Sequence, residues 1–397
     1  MEGVGLGSAQ SSWFRPIGLA SREGNLGTGT KIGINASIVG ENPTGLGVYS
    51  IKVVQELDWL RRDFSVYTSA PEAFTGIGAP VLAAPAAVRP GRGARGHLVR
   101  LLWLQSLLRA RVRASRHRLL LNTVPEGIVG SAIPQVTIVH DLLPLEFPPE
   151  YPRQQYYFRH FVPRILHASR VVVADSGYTR AAVIDRYGLS PAKVRVVYPG
   201  CNPDVYRPNG PPLESRSGDV PYLLYVGNVL PHKNVLRLLD AVAILRRRRS
   251  VRLLIRGEGR RAYMRAVRAR VETLGLEHTV DFLGYVTEKT MRDLYTHAAC
   301  LILPSLGEGF GLPVLEAMAC GTPVVTAAVS SLPEVAGDAA LMVCPHDSVQ
   351  MADAMFQVLS DRDLRQDLRE RGLRQAAGFT WRRTAQALSC VLDEALA

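Results

Sequence analysis

Glu308 and Glu316 are separated by seven residues and enclose a glycine-rich loop. Pro313 suits the first turn of a helix and Gly321 suits its C-terminal end, so the loop leads from a strand into a helix. A helix start offers unpaired N–H groups and a positive dipole end, which bind anions. The N–H groups concerned belong to Phe310, Gly311 and Leu312, with Gly309 beside them. A lone glutamate here usually caps the helix. Two glutamates around one glycine-rich loop instead favour a binding role, with hydrogen bonds to sugar or ribose hydroxyls.

Other polar residues follow apolar runs that predict strands. His140 and Asp141 end one run, Ser176 follows another, and Lys233 lies in a loop after a third. Open α/β sheets bind ligands at the carboxyl ends of their strands, so these residues are candidates for one site. Simpler explanations exist for each. A buried His at a strand end is more often structural, a Ser can cap a helix, and a loop Lys is usually solvated.

A glycine pair, Gly45 and Gly47, lies in the loop that follows the first predicted strand. Helical periodicity begins after it and continues over Val48–Arg61. N–H groups at such a helix start can approach a diphosphate. A G-x-G pair alone marks turns more often than phosphate sites, so its position after the first strand is what favours binding.

Strands and helices alternate along the chain, which predicts parallel, doubly wound sheets. The predicted strands are Lys31–Val39, Phe64–Thr68, Gln135–Val139, Val171–Ala174, Lys193–Val197, Tyr222–Val226, Arg252–Arg256, Thr279–Leu283, Cys300–Pro304 and Pro323–Thr326. We predict an α/β protein with two Rossmann-like domains facing a central cleft. The predicted divisions are a flexible leader at 1–30, an N-terminal domain at 31–205, a Pro-rich linker at 206–220, a C-terminal domain at 221–380 and a helix at 381–397 that packs back on the N-terminal domain.

The composition narrows the class of protein. A chain of 397 residues can form two domains with real cores. The net charge of +12, from 47 Lys and Arg against 35 Asp and Glu, suits anionic partners. Five scattered cysteines indicate neither a disulfide framework nor a zinc site, as expected in a reducing cytosol. No signal peptide and no apolar run long enough to span a bilayer is recognised, so we expect a cytoplasmic protein.

The segment from Arg89 to Arg118 is rich in Arg and contains no acidic residue. Within it, His97–Leu121 mixes Arg with Leu, Val and Trp103. An apolar stripe with a cationic border is typical of a helix at a membrane surface. A helix packed on the core with a solvated face explains the same pattern equally well. Peripheral contact with an anionic membrane is therefore one of two interpretations.

Around Glu308 and Glu316, the chain resembles the retaining glycosyltransferases of family 4, which have the GT-B fold and an E-x7-E signature. Further segments match in the expected order, and together they cover residues 31 to about 390. A bacterial mannosyltransferase-like branch is the most similar. The segments that carry this second resemblance are His140–Pro148, Gly227–Asn234 and Ser330–Asp338.

The resemblance implies roles for individual residues. Glu308 and the amides after it would hold donor-sugar hydroxyls, and Glu316 would bind the nucleotide ribose. Lys233 would stabilise the leaving diphosphate, where negative charge develops. His140 would bind the sugar and stabilise the transition state. Gly45 and Gly47 would approach the diphosphate from the N-terminal side, and Asp141 and Ser176 would face the same cleft.

One position departs from the common family pattern. Many members carry an Arg directly after the glycine that matches Gly227, whereas this chain has Asn228. The second cation for the diphosphate therefore has to come from elsewhere. Arg256 and Lys289 are the substitutes that we predict from the sequence.

The resemblance implies transfer of a hexose to a glycan or lipid-linked acceptor in surface or exopolysaccharide synthesis. Mannose from GDP-mannose is the first expectation for the donor. A UDP-hexose or another nucleotide-sugar is the alternative donor. We expect no metal and no cofactor. Asp361-Arg-Asp363 has the D-x-D form found in metal-dependent transferases of another fold, but it lies in a charged helical stretch and is more simply a solvated face. A nucleic-acid-binding protein is disfavoured because the Arg-rich segment lacks interleaved aromatic residues. A dehydrogenase is disfavoured because no G-x-G-x-x-G follows the first strand.

Overall fold

The computed structural model describes residues 31–41, 43–90, 93–210 and 220–397. The predicted leader at 1–30 and residues 211–219 of the predicted linker lie outside these ranges. Within the described chain, the strands form two wholly parallel sheets, one of seven strands and one of six.

The first sheet has the strand order β3-β2-β1-β4-β5-β6-β7. Its strands are β1 (Ile32–Asn35), β2 (Phe64–Thr68), β3 (Val81–Ala83), β4 (Leu119–Asn122), β5 (Gln135–Val139), β6 (Val171–Ala174) and β7 (Val194–Val196). The helices of this half are α1 (Gly45–Leu60), α2 (Gly93–Trp103), α3 (Arg109–Ala114), α4 (Leu143–Glu146), α5 (Gln154–His160), α6 (Val162–Ala168) and α7 (Gly177–Tyr187). The strand order reverses between β1 and β4, where such sheets form a ligand crevice.

The second sheet has the order β10-β9-β8-β11-β12-β13. Its strands are β8 (Tyr222–Val226), β9 (Arg252–Arg256), β10 (Val280–Phe282), β11 (Cys300–Leu303), β12 (Val324–Ala327) and β13 (Leu341–Val343). The helices are α8 (Val235–Arg246), α9 (Arg261–Thr273), α10 (Glu288–His297), α11 (Leu312–Ala319), α12 (Leu332–Ala336), α13 (Ser348–Ser360), α14 (Arg362–Ala377) and α15 (Trp381–Leu396). The order reverses between β8 and β11, and the predicted fold of two doubly wound α/β units is confirmed.

Three strands were missed in the sequence. β3 and β13 have three residues each, too few for a periodic pattern. β4 is fully buried between β1 and β5, but it follows the Arg-rich run and was assigned to the basic helical segment. The first predicted strand is also shorter than expected, because Lys31–Val39 narrows to the four residues of β1.

The last helix returns to the first half of the molecule. Trp381, Leu388 and Leu392 of α15 belong to the same buried cluster as Val53 and Leu57 of α1. The chain thus crosses between the two sheets twice, once after β7 and once before α15. The two crossings are joined by a parallel bridge between Cys201 and Thr380, in which the Cys201 N–H donates to the Phe379 carbonyl at 2.9 Å.

Candidate active site

A cleft of about 1380 Å³ lies between the carboxyl ends of the two sheets. Loops from both halves line it, as the two reversal points require. The residues predicted from the sequence that line it are Gly45, His140, Asp141, Asn228, Lys233, Glu308, Gly309, Phe310, Gly311 and Leu312. The structure therefore gathers most of the predicted site into one cavity.

Lys233 and Glu308 form an ion pair across two neighbouring loops. The Lys233 Nζ lies 2.5 Å from Glu308 Oε1, which also accepts a hydrogen bond from the Ser305 hydroxyl at 2.7 Å. The two charged side chains are 15% and 10% exposed. Lys233 follows β8 and Glu308 follows β11, and these adjacent parallel strands end on the same edge of the sheet. The pair offers a cation for a phosphate and a carboxylate for hydroxyl groups.

The Glu308 loop is held in shape by two serines that the sequence did not single out. The Glu308 N–H donates to the Ser330 hydroxyl at 3.0 Å, and the Ser331 hydroxyl lies 3.0 Å from the Glu308 carbonyl. From the opposite half, the main chain of His140 comes so near that a Cβ at Gly309 would lie 2.3 Å from the His140 carbonyl oxygen. Only glycine fits here, which explains one glycine of the loop.

Glu316 lies one turn inside α11, as predicted. The Tyr295 hydroxyl donates to its Oε2 at 2.8 Å. Burial raises the pKa of Glu316 to about 7, although the Tyr295 and Tyr206 hydroxyls and the Arg256 charge oppose the rise. The carboxyl therefore titrates near neutral pH, and its ionised form is the better acceptor for hydroxyl groups.

His140 is held at both ring nitrogens by the protein. Nδ1 lies 2.6 Å from Asp175 Oδ2, and Nε2 lies 2.8 Å from the Thr123 carbonyl oxygen. A carbonyl and a carboxylate both accept, so both nitrogens must carry protons and the ring is an imidazolium. Burial lowers its pKa, but the Asp175 charge and hydrogen bond outweigh burial and raise the pKa above its ordinary value. Both ring nitrogens are thus engaged within the protein, and neither is left for a sugar hydroxyl.

Asp175 was missed in the sequence, although a signal existed. Val139 at the end of β5 pairs in register with Ala174 at the end of β6, so the next residues on each strand are neighbours. Two polar residues directly after adjacent strands are therefore expected to meet. The order of the strands, which the sequence pattern does not reveal, is what brings His140 and Asp175 together.

Asp141 and Ser176 also lie at this edge. The Asp141 carboxylate accepts the Leu143 N–H at 3.0 Å, and burial raises its pKa to about 6. Ser176 caps α7 by accepting the Thr179 N–H, and its hydroxyl lies 2.9 Å from the Gly309 carbonyl oxygen. The helix cap predicted as the simpler explanation is therefore present, and Ser176 is not among the described residues that line the cleft.

The glycine pair lies within a helix and not in a loop before it. α1 begins at Gly45, so Gly45 and Gly47 both belong to its first turn. This corrects the predicted start at Val48, and the reason is that glycine does not prevent a helix start. Thr44 and Gly45 line the cleft, which leaves the first N–H groups of α1 at its edge.

The predicted substitutes for the second cation are placed differently from Lys233. Arg256 and Lys289 are not among the described residues that line the cleft. The Arg256 guanidinium lies 5.9 Å from the centre of the Tyr285 ring and near enough to Glu316 to lower its pKa. Lys289 is exposed near the start of α10. Asn228 does line the cleft.

Comparison with known families places this cleft in context. The model for glycosyltransferase family 4 matches residues 43–205, and the model for glycosyl transferases group 1 matches residues 213–375. The two matches follow one another along most of the chain. The chain is a glycosyltransferase family 4-like protein of the GT-B fold.

Relatives of this GT-B chain differ in what their names say they act on. It is 32% identical to the O-antigen chain mannosyltransferase B of Escherichia coli, over 62% of this chain and 66% of the relative. It is 34% identical to a D-inositol 3-phosphate glycosyltransferase of Frankia alni, over 56% of this chain and 58% of the relative. The matches thus span less than two thirds of both relatives.

Solved structures agree with this fold. HepE from Anabaena, solved in complex with UDP and glucose, superposes with a TM-score of 0.73 at 20% sequence identity. The superposition covers 92% of this chain and 100% of HepE. At this identity the likeness establishes the GT-B fold.

Two carboxylates of this GT-B chain accept hydrogen bonds from the opposite side of the cleft, and neither was predicted. Glu150, on the N-terminal side, accepts the His232 main-chain N–H at 2.8 Å and faces its ring Nδ1 at 2.6 Å. Glu334, on the C-terminal side, accepts the Gly177 N–H at 2.7 Å at the start of α7 and the Tyr198 hydroxyl at 2.6 Å. Such contacts depend on how the two halves meet, which no local pattern records.

The Arg-rich segment of the GT-B chain has two faces. Trp103, Leu104 and Leu108 are buried against the first sheet, while Leu98, Leu102 and Leu107 are 59%, 60% and 51% exposed. The segment is helical without a break from Gly93 to Ala114, with a five-residue π-helical turn at Leu104–Leu108 between α2 and α3. Core packing and an exposed apolar face are therefore both present.

Two negative findings apply to the described ranges of the GT-B chain. No group of three or more His, Cys, Asp or Glu residues there could hold a metal ion. No helix there combines the length and hydropathy needed to cross a bilayer. Asp361 of Asp361-Arg-Asp363, which was predicted to lie in a charged helical stretch, accepts the Leu364 N–H at 2.9 Å and caps α14.

Proposed function

We propose that this chain transfers a hexose from a nucleoside-diphosphate sugar to an acceptor with retention of anomeric configuration. The Lys233–Glu308 pair at the start of α11 is the observation that carries the proposal. The cation lies where a leaving diphosphate would develop charge, and the carboxylate lies where sugar hydroxyls would bind. Glu316, eight residues after Glu308 and inside α11, is left for the ribose.

In the proposed reaction, the bond between the sugar C1 and the diphosphate oxygen breaks while a bond to the acceptor oxygen forms on the same face. The acceptor proton passes to an oxygen of the leaving diphosphate. Glu308 is engaged by Lys233 and Ser305, which favours hydroxyl binding over covalent attack. The His140 imidazolium adds positive potential at the reaction centre.

GDP-mannose is the donor that we propose first. The name of the E. coli relative supports mannose, and the matches to two glycosyltransferase family models support a nucleotide-sugar donor. A UDP-hexose is the alternative. The proposed acceptor is a glycan or a lipid-linked saccharide in surface or exopolysaccharide synthesis, and the proposed location is the cytoplasm, in part at the inner face of the plasma membrane. The proposal requires no metal and no cofactor.

A nucleotide panel tests this proposal. Thermal unfolding is measured at pH 8, where the Glu316 carboxyl is ionised, with GDP, UDP and ADP, and each matching nucleotide-hexose is assayed for hydrolysis. GDP at 100 times its Kd is expected to add about 2.7 kcal/mol of stability. Stabilisation by UDP alone selects the alternative donor. Stabilisation by none of the three contradicts the proposed function.

We propose further that the exposed face of α2 and the π turn contacts an anionic bilayer. Leu98, Leu102 and Leu107 would enter the headgroup region, with the exposed Arg95 and Arg113 beside them. Arg109 and Arg111 suit a test less well. Their guanidinium groups donate to the Gly130 and Ala83 carbonyls, so a charge reversal there would disturb the fold.

Vesicle flotation checks this contact. The wild type is expected to float at low salt with vesicles that contain phosphatidylglycerol and to stay behind with phosphatidylcholine alone. A Leu98→Ser, Leu102→Ser, Leu107→Ser variant is expected to lose flotation. Val349→Ser, at a residue 55% exposed on α13, is the matched control. A wild type that binds neither vesicle at low salt refutes the contact.

A further inference from the structure

The diphosphate site has a charge that remains to be supplied. Lys233 is already paired with Glu308, and Asn228, which also lines the cleft, carries no charge. Asp141 also lines the cleft beside them. A diphosphate brought to these carboxylates requires more positive charge than one partly neutralised lysine provides.

The loop after β9 is bonded directly to the loop that carries Asn228. The Val229 N–H donates to the Glu258 carbonyl at 2.8 Å, and Val229 forms a parallel bridge with Gly259. The contact is so close that a Cβ at Gly259 would lie 2.0 Å from the Val229 carbonyl oxygen. Glycine is therefore required at 259, and this register carries the next residue, Arg260, alongside Leu230.

Arg260 lines the cleft with Asn228 and Lys233. Among the described residues of the C-terminal half, Lys233 and Arg260 are the Lys and Arg side chains that do so. The Arg260 guanidinium donates to the Glu150 carbonyl from across the cleft, which fixes its orientation. The remaining guanidinium N–H groups suit the bidentate geometry of a phosphate.

The electrostatics of Tyr151 locate Arg260 near the reacting groups. Burial raises the pKa of the Tyr151 phenol, and the carboxylates of Asp141, Glu150 and Glu308 raise it further, whereas Arg260 lowers it. One phenol thus senses both Glu308 and Arg260. The guanidinium lies on the same side of the cleft as the Lys233–Glu308 pair.

We propose that Arg260 is the second diphosphate-binding cation of this chain, on the loop paired with the one that carries Asn228. The proposal rests on the proposed function, since it assigns a phosphate contact within the same donor site. Arg256 and Lys289 do not take this role. Arg260 binds the diphosphate together with Lys233, and its bond to Glu150 ties the cation to the opposite half of the cleft.

Calorimetric titration of the full chain tests this assignment. The ligands are the nucleoside diphosphate that stabilises the wild type and the corresponding nucleoside without phosphate. Arg260→Gln is expected to weaken the diphosphate roughly ten- to hundred-fold, the cost of one charge-assisted contact, and to leave the nucleoside unchanged. Arg260→Lys should retain part of the affinity. Asn228→Arg in the Arg260→Gln background should recover affinity, because it restores a cation on the adjacent loop.

The controls separate this inference from the function on which it rests. Arg261→Gln removes an exposed Arg that does not line the cleft, and Arg256→Gln removes the rival cation. If Arg260→Gln binds the diphosphate as well as Arg261→Gln does, or if Arg256→Gln alone loses the affinity, the assignment is overturned. A wild type that binds no nucleoside diphosphate refutes the proposed function itself.

Discussion

Replacement of Lys233 by alanine is expected to lower kcat roughly 100- to 1000-fold. The Lys233 ammonium lies 2.5 Å from Glu308 in the cleft, and in the proposed reaction it faces the charge that develops on the leaving diphosphate. In this partly buried site the interaction is worth more than it would be in water. The loss should be larger in kcat than in KM, because the charge on the diphosphate increases as its bond to the sugar breaks.

Single-turnover kinetics with saturating donor measure this effect. Lys289→Ala is the matched control, because Lys289 is exposed near the start of α10 and does not line the cleft. Thermal unfolding of both variants checks that the buried Glu308 tolerates the loss of its partner. A Lys233→Ala variant with wild-type kcat would remove Lys233 from the reaction.

The second large effect is on stability. Asp175→Ala is expected to lower the free energy of unfolding by about 3–5 kcal/mol, the usual cost of breaking a buried ion pair on one side. His140 and Asp175 are 9% and 6% exposed, so neither charge can be rescued by water. Asp185→Ala, at an exposed position on α7, is the control and should be nearly neutral.

The pH dependence follows from the raised pKa of His140. A raised pKa in the folded state adds stability that is complete below the unfolded value of about 6.5 and is lost as the pH rises through the folded value. The free energy of unfolding of the wild type should therefore exceed that of Asp175→Ala most at acid to neutral pH. The difference between the two should decrease at alkaline pH. Denaturant unfolding at several pH values measures this difference in free energy. A difference that increases with pH would contradict a protonated His140.

The sequence predicted the sheets better than the contacts between them. β6 is an uninterrupted apolar run of four residues, β5 consists mainly of β-branched residues, and all residues of both strands are buried. β4 was hidden because the Arg-rich run before it extended the helical pattern. A central strand is recognised by its apolar content, and four residues carry too little of it beside so many charges.

The same division applies to the site. Glu308, Glu316 and Lys233 could be predicted because each belongs to a short motif of consecutive residues in the sequence. Asp175 and Glu150 were not, because their partners lie on another strand or across the cleft. Distances of this kind depend on strand order and on the approach of the two halves. Arg260 was missed for the same reason, since its place follows from the pairing of two loops.

The paired crossings between the halves have a mechanical consequence. Cys201 and Thr380 are bonded side by side, and a Cβ at Gly200 would lie 2.1 Å from the Trp381 nitrogen. Two crossing segments that are hydrogen-bonded to each other can bend together about one shared hinge axis. A twist between the halves would instead strain the bonds that join the two segments. Any hinge motion between the halves is therefore expected to follow one axis, which would preserve the alignment of His140 with Lys233.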